Sequence, residues 1–296
     1  MAEIEPIYFE SHGTRCSGDL YVPKRPAPWP LVIMAHGFAA EKTFCLAPFA
    51  KRFAEAGYGA FIFDYRSFGM SEGEPRHYVN PWRQLEDWAS AIDHLRAMDT
   101  IDANRIILWG TSFSGGHVLV TASRRTDIAA VVAQVPYLSG VATLGTKAFT
   151  DIVQSSVLGT IDICRAVVHW PPLYVPVVEH AGTFGVLNTP DAWDGYMQLV
   201  PEESDWKNEV TARSLLFFLL YNPIGSVSQI NVPALILFGE LDTIAPAKAA
   251  RKAVARIPNC EWEDMKCGHF ELYKGALFEP NITRQLAFLK ARVPAP

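Results

Sequence analysis

Three residues of this chain, Ser112, Asp242 and His269, have the types and the order needed for nucleophilic catalysis on a carbonyl. A serine hydroxyl is a weak nucleophile until a base takes its proton, and the imidazole that does so needs an anion to fix its tautomer and stabilise its cation. Ser112 lies in "WGTSFSGG" (109–116), on which the G-x-S-x-G pattern of a nucleophile elbow fits in two registers. Gly110-Thr-Ser112-Phe-Ser114 lacks the second glycine, and Ser112-Phe-Ser114-Gly-Gly116 lacks the first. The apolar strand "IILW" runs to Gly110, and an elbow turns sharply where its strand ends, so Ser112 is the better nucleophile. Choosing Ser114 lengthens the strand end and delays the following helix by two residues. Asp242 closes the strand "ALILFGELD", with Glu240 as the alternative acid still inside the strand end. His269, in "CGHF", is the one histidine that follows the last strand pattern. Negative charge developing on the carbonyl oxygen calls for preorganised N–H donors, and Phe38, in "HGF", and Phe113, next to Ser112, are placed to supply them.

The elements that must position these residues follow from hydrophobic periodicity. Ile4–Glu10 and Arg15–Val22, separated by "SHGT", read as an antiparallel pair of strands. "PLVIMAHG" (30–37), "AFIFDY" (60–65), "RIILWG" (105–110) and "IAAVVAQVP" (128–136) are short apolar runs of the kind buried in a parallel sheet. Helical patterns over 44–56, 81–98 and from Phe113 separate them. The alternation predicts an α/β fold with a mostly parallel sheet and helices on both faces. It resumes with "VPALILFGELD" (232–242), a helix over 246–257, a strand near 260–265 and a closing helix over 281–291.

Between these blocks the rhythm breaks. Residues 137–229 read as a mainly helical cap inserted into one core domain formed by 1–136 and 230–296. The segment is aromatic, proline-rich at "HWPPLYVPVV" (169–178), and helical over 211–221. Tyr137, Trp170, Tyr174, Phe184, Trp193, Tyr196 and Phe217 are its candidates for lining a substrate pocket; a cap also needs an apolar core, so a minority should touch substrate. In "DYRSFGMSEG" (64–73), Asp64 and Arg66 fit a structural ion pair or a support for the oxyanion loop.

Composition bounds the partners. The hydrophobic share is 49%, the charged share 19% and the net charge −5, which argues against disorder and against a nucleic-acid footprint. The longest apolar run, "LLFFLLY" (215–221), is too short for a membrane span. The N-terminus lacks the basic start and apolar stretch of a signal peptide. Five scattered cysteines without C-x-x-C spacing argue against a disulfide framework and a zinc site, and fit a reducing cytoplasm. No metal or cofactor is implied, and a homodimer is compatible with the sequence.

In order, "MAHGF", "FDYRSFGMSEGEPR", "WGTSFSGGH", "FGELDTIAP" and "CGHFELY" resemble the serine hydrolases of the α/β-hydrolase superfamily over most of 30–136 and 232–290. The finer likeness is to its dienelactone-hydrolase-like and X-Pro-dipeptidyl-peptidase-like branches, and to fungal polyketide transferases. The resemblance implies an eight-stranded sheet and acyl-transfer chemistry. Dienelactone enzymes use a cysteine nucleophile where this chain has Ser112, so their substrate is not implied. The expected activity is cofactor-free hydrolysis of carboxylic esters with a sizeable apolar part. An acyltransferase or thioesterase, acting on a small-molecule ester or thioester, is the alternative, and a non-catalytic ligand-binding protein a more distant one.

Overall fold

Apolar runs with no polar face can lie only where both sides of a sheet are covered. The computed structural model, which describes residues 3–145 and 147–295, buries them in this way. Strands β1 (Glu3–Ser11), β2 (Thr14–Val22), β3 (Trp29–Ala35) and β4 (Gly59–Phe63) are joined by β5 (Ile101–Thr111), β6 (Ala130–Gln134), β9 (Ala234–Gly239) and β10 (Cys260–Met265). They form one eight-stranded sheet in the order β1-β2-β4-β3-β5-β6-β9-β10. β1 and β2 pair antiparallel with each other, as does β2 with β4, and every later pairing is parallel.

Successive side chains of a strand point to opposite faces, and two cores result. Leu31, Ile33, Ile106 and Leu108 face one, and Val32, Met34, Ile107 and Trp109 face the other. Helices α1 (Leu46–Glu55) and α9 (Phe278–Arg292) close the second face through Phe49, Phe53, Ile282 and Phe288. The first is covered by α2 (Pro81–Arg96), α3 (Phe113–Arg124) and α8 (Ala247–Val254). α2 begins where Pro81 takes the first helical position and the Asn80 side chain accepts from the N–H groups of Trp82 and Arg83.

Between β6 and β9 come α4 (Gly140–Leu144), α5 (Phe149–Val167), β7 (Tyr174–Val175), α6 (Ala192–Met197), β8 (Val210–Thr211) and α7 (Ser214–Leu220). Among the described residues this segment adds no strand to the main sheet; β7 and β8 pair only with each other. The helix expected from Thr211 starts three residues later. Thr211 is instead held in β8, with its hydroxyl on that of Ser214 at 2.9 Å, while Ser214 Oγ accepts from the Val79 N–H. No described helix is long and apolar enough to cross a membrane, and all five cysteines are unpaired.

Candidate active site

Parallel strands deliver the loops after their carboxyl ends to one edge of the sheet, which is where an α/β fold builds a site. β3 leads to Phe38, β5 to Ser112, β9 to Asp242 and β10 to His269. The structure joins three of these in a chain. Ser112 Oγ lies 2.9 Å from His269 Nε2, and His269 Nδ1 lies 2.6 Å from Asp242 Oδ2. A carboxylate only accepts, so Nδ1 carries the proton and Nε2 is left to accept from the serine hydroxyl. The second oxygen, Asp242 Oδ1, accepts from the N–H groups of Ile244 (2.9 Å) and Ala245 (2.7 Å), which fixes the carboxylate's orientation. Asp242 and His269 are buried. β9 ends at Gly239, so Glu240 and Asp242 both lie beyond the strand, against expectation; Glu240 is exposed, and Asp242 turns inward.

Ser112 caps α3 with φ 55° and ψ −119°, a backbone conformation that a side-chain-bearing residue adopts only when its surroundings enforce it. Its N–H donates to Gln134 O (2.9 Å), and its carbonyl accepts from Tyr137 N (2.8 Å). The close turn depends on Gly110, where an added Cβ would lie 2.3 Å from Ser114 O. Ser114 stands where the pattern has its second glycine, and its fully buried hydroxyl is occupied elsewhere. It meets Tyr65 OH at 2.7 Å, and Tyr65 OH in turn accepts from Trp88 Nε1 at 2.8 Å. Only Ser112 of the two serines faces the histidine.

Phe38 and Phe113 line the same cavity as Ser112, with their rings edge-to-face at 5.6 Å. Phe113 opens α3, and the first N–H groups of a helix have no intrahelical acceptor. Gly37 lies against Ser112: a Cβ there would come within 3.0 Å of Ser112 Cβ. Tyr196 OH donates to Phe38 O and Trp206 Nε1 to Ala39 O, both at 2.9 Å, so Tyr196 and Trp206 hold this loop from above. From below, Asp64 accepts from Lys42 N (2.7 Å) and Met70 N (3.2 Å), and burial raises its carboxyl to about 7. Arg66 does not pair with Asp64; its guanidinium goes to Asp87 and Glu86 on α2. His36 is buried at the start of the loop, edge-on to Tyr65, and burial lowers it to about 4, so it is neutral at pH 7.

The cavity is walled by apolar side chains including Phe44, Leu187, Leu199, Phe218, Ile244 and Phe270. Of the aromatics expected to line it, Tyr137 and Tyr196 do so. Trp170 is 64% exposed, and Tyr174 turns away to His77 and to Arg76 O. Phe184 is half-buried against the core and does not line the cavity, and Trp193 lies tilted on His180. Phe217 meets Tyr78 and Trp82 on the outside of α7, while Phe218, about 100° further round the helix, faces the cavity. Periodicity of 211–221 could have found Phe218, because it recurs at helical spacing with Leu215 and Ser214, both buried. Tyr65 and Trp88 carried no comparable signal. Among the described residues no cluster of metal-binding side chains occurs.

Comparison with known proteins puts this geometry in context. The model of the alpha/beta hydrolase family matches residues 32–278. The chain is similar to the quorum-quenching protein AidA of Acinetobacter baumannii, with 38% identity over 97% of this chain and 95% of AidA. It is also similar to the polyketide transferase af380 of Aspergillus fumigatus, with 26% identity over 88% of this chain and 89% of that protein. Among solved structures, the alpha/beta hydrolase GrgF from Penicillium sp. sh18 superposes with a TM-score of 0.84 at 24% identity, covering 98% of this chain and 99% of GrgF, a likeness of fold.

Proposed function

This chain belongs to the alpha/beta hydrolase family, and from that premise we propose that it is a serine hydrolase of carboxylic esters with a sizeable apolar part. The observation that carries the reading is the Asp242–His269–Ser112 chain of hydrogen bonds, 2.6 and 2.9 Å long, opening into an apolar cavity. Ser112 Oγ attacks the ester carbonyl as His269 Nε2 takes its proton, and Asp242 stabilises the imidazolium. The N–H groups of Phe38 and Phe113 hold the oxyanion. Collapse of the tetrahedral intermediate releases the alcohol, which takes the proton from His269, and leaves an acyl group on Ser112. Water then attacks with His269 as base, and the acid departs. Residues 137–229 act as the cap that supplies most of the acyl pocket. Unpaired cysteines fit a reducing cytoplasm.

Transfer of the acyl group to an alcohol, amine or thiol is the second reading. It is favoured by the apolar cover over Ser112, which restricts water, and by the similarity to a polyketide transferase. Turnover of p-nitrophenyl esters from acetate to decanoate by wild type and Ser112→Ala, with product analysis in the presence of a competing alcohol, tests both. Ser112-dependent release of free acid is expected. An acylated alcohol as the main product moves the assignment to transfer, and turnover that survives Ser112→Ala refutes the nucleophile.

A further inference from the structure

Beside the active-site cavity lies a second one, and Phe218 is on the wall of both. The second cavity is enclosed by α4, α5, α7 and the segment at Gly185–Val186, with Leu144, Ile152, Leu215 and Leu219 on its apolar wall. Among the described residues Phe218 is the one that lines both. On the active-site side Phe218 stacks on Phe113, the residue after the nucleophile, at 5.6 Å and 19°, and leans on Tyr137 at 4.6 Å.

The lining of the second cavity also carries a cation. Lys147 Nζ donates to Val186 O and to Asn188 Oδ1, both at 2.6 Å, and Asn188 Nδ2 donates to Asp151 Oδ2 at 2.8 Å. An ammonium has three donors, and these contacts account for two. Burial lowers Lys147 to about 8, so it remains mainly charged at pH 7. The same end of the wall carries Asp151, Thr143 and Ser155, so this corner of the cavity is polar and suits an oxygen-bearing occupant better than a bare hydrocarbon end.

We propose that the second cavity is the far chamber of the acyl site: it receives the distal end of a long acyl chain attached to Ser112, past a displaced Phe218 ring, with Lys147 donating to an oxygen on that end. This rests on Ser112 being the nucleophile. The substrate class is thereby narrowed to esters of long, distally oxygenated acids.

Alkylphosphonyl fluorides with butyl, dodecyl and ω-hydroxydodecyl chains, which place a chain of known length on the attacking serine, test it. Inactivation rates are compared in wild type, Ile152→Trp, which fills the chamber, and Lys147→Met, with the labelled residue identified by mass spectrometry. The dodecyl-to-butyl rate ratio should fall at least about tenfold in Ile152→Trp, the loss of about two buried methylenes. The ω-hydroxyl should give about a tenfold advantage in wild type, as for a hydrogen bond to a charged group, and lose it in Lys147→Met. A crystal structure of the wild-type ω-hydroxydodecyl adduct should show the chain passing Phe218, with its oxygen at Lys147. Labelling of Ser112 with unchanged ratios, or a chain folded within the first cavity, overturns the chamber alone. Absence of labelling by every probe overturns the nucleophile and the chamber with it.

Discussion

The two serines of the elbow lie two residues apart but have separate partners, and replacing each with alanine should produce opposite effects. Ser112 Oγ bonds only toward His269, at the cavity, whereas Ser114 Oγ is fully buried against Tyr65, which also accepts from Trp88. Ser114→Ala leaves the buried Tyr65 hydroxyl one partner short, a loss of about 1–3 kcal/mol. For a domain of this size that lowers Tm by several degrees, at roughly 2–4 °C per kcal/mol. Its kcat/KM per folded molecule should stay within about threefold, since no reacting group has changed. Ser112→Ala keeps the backbone and loses one half-exposed hydrogen bond, so its stability should change by less than about 1 kcal/mol. Its kcat should drop by about 10⁴-fold or more. Thermal melts and p-nitrophenyl ester kinetics on both variants give the answer. Activity abolished in Ser114→Ala with Tm unchanged would refute the register and the assignment of the Tyr65 network.

Asp242→Asn should reduce kcat by about 10³–10⁴-fold through the wrong histidine tautomer, whereas Glu240→Gln, on an exposed turn, should leave ester kinetics within about twofold. Gly37→Ala would put a Cβ 3.0 Å from Ser112 Cβ and 3.4 Å from its Oγ; the displaced nucleophile should lower kcat about tenfold or more with a retained Tm. Burial lowers His117 from an ordinary 6.5 to about 3, between Tyr221 OH and Gln84 Oε1. The unfolded chain therefore takes up a proton below pH 6.5 that the fold refuses. This part of the stability is intact above 6.5 and is lost as pH falls toward 3, by about 1.4 kcal/mol per unit. Urea unfolding between pH 6.5 and 4.5 should lose stability more steeply in wild type than in His117→Gln, by that slope; equal slopes would mean that His117 is protonated in the fold.

The buried strands were legible because a run such as "LVIMA" has no polar face and can lie only inside a covered sheet. The convergence of Ser112, Asp242 and His269 followed from where each apolar run stops, since parallel strands share a carboxyl edge. What periodicity could not resolve was which aromatics of residues 137–229 face inward outside the helices. Phe218 recurs at helical spacing with Ser214 and Leu215, but Trp170 lies in an irregular, proline-rich stretch, where no period tells an exposed ring from a buried one. The same limit applies to Arg66: two positions from Asp64 in sequence, it pairs with Asp87, 21 residues away, because Asp64 is already held by backbone N–H groups. Long-range polar pairing of this kind leaves no trace in local spacing.

The central claim is that Ser112 becomes acylated, and covalent trapping tests it most directly. Wild-type protein is treated with a fluorophosphonate at one equivalent, digested with trypsin, and the peptide Ile106–Arg124, which contains both elbow serines, is sequenced by tandem mass spectrometry. One adduct per chain on Ser112 is expected, with loss of ester hydrolysis in proportion. An adduct on Ser114, or none on this peptide while hydrolysis disappears, would contradict it.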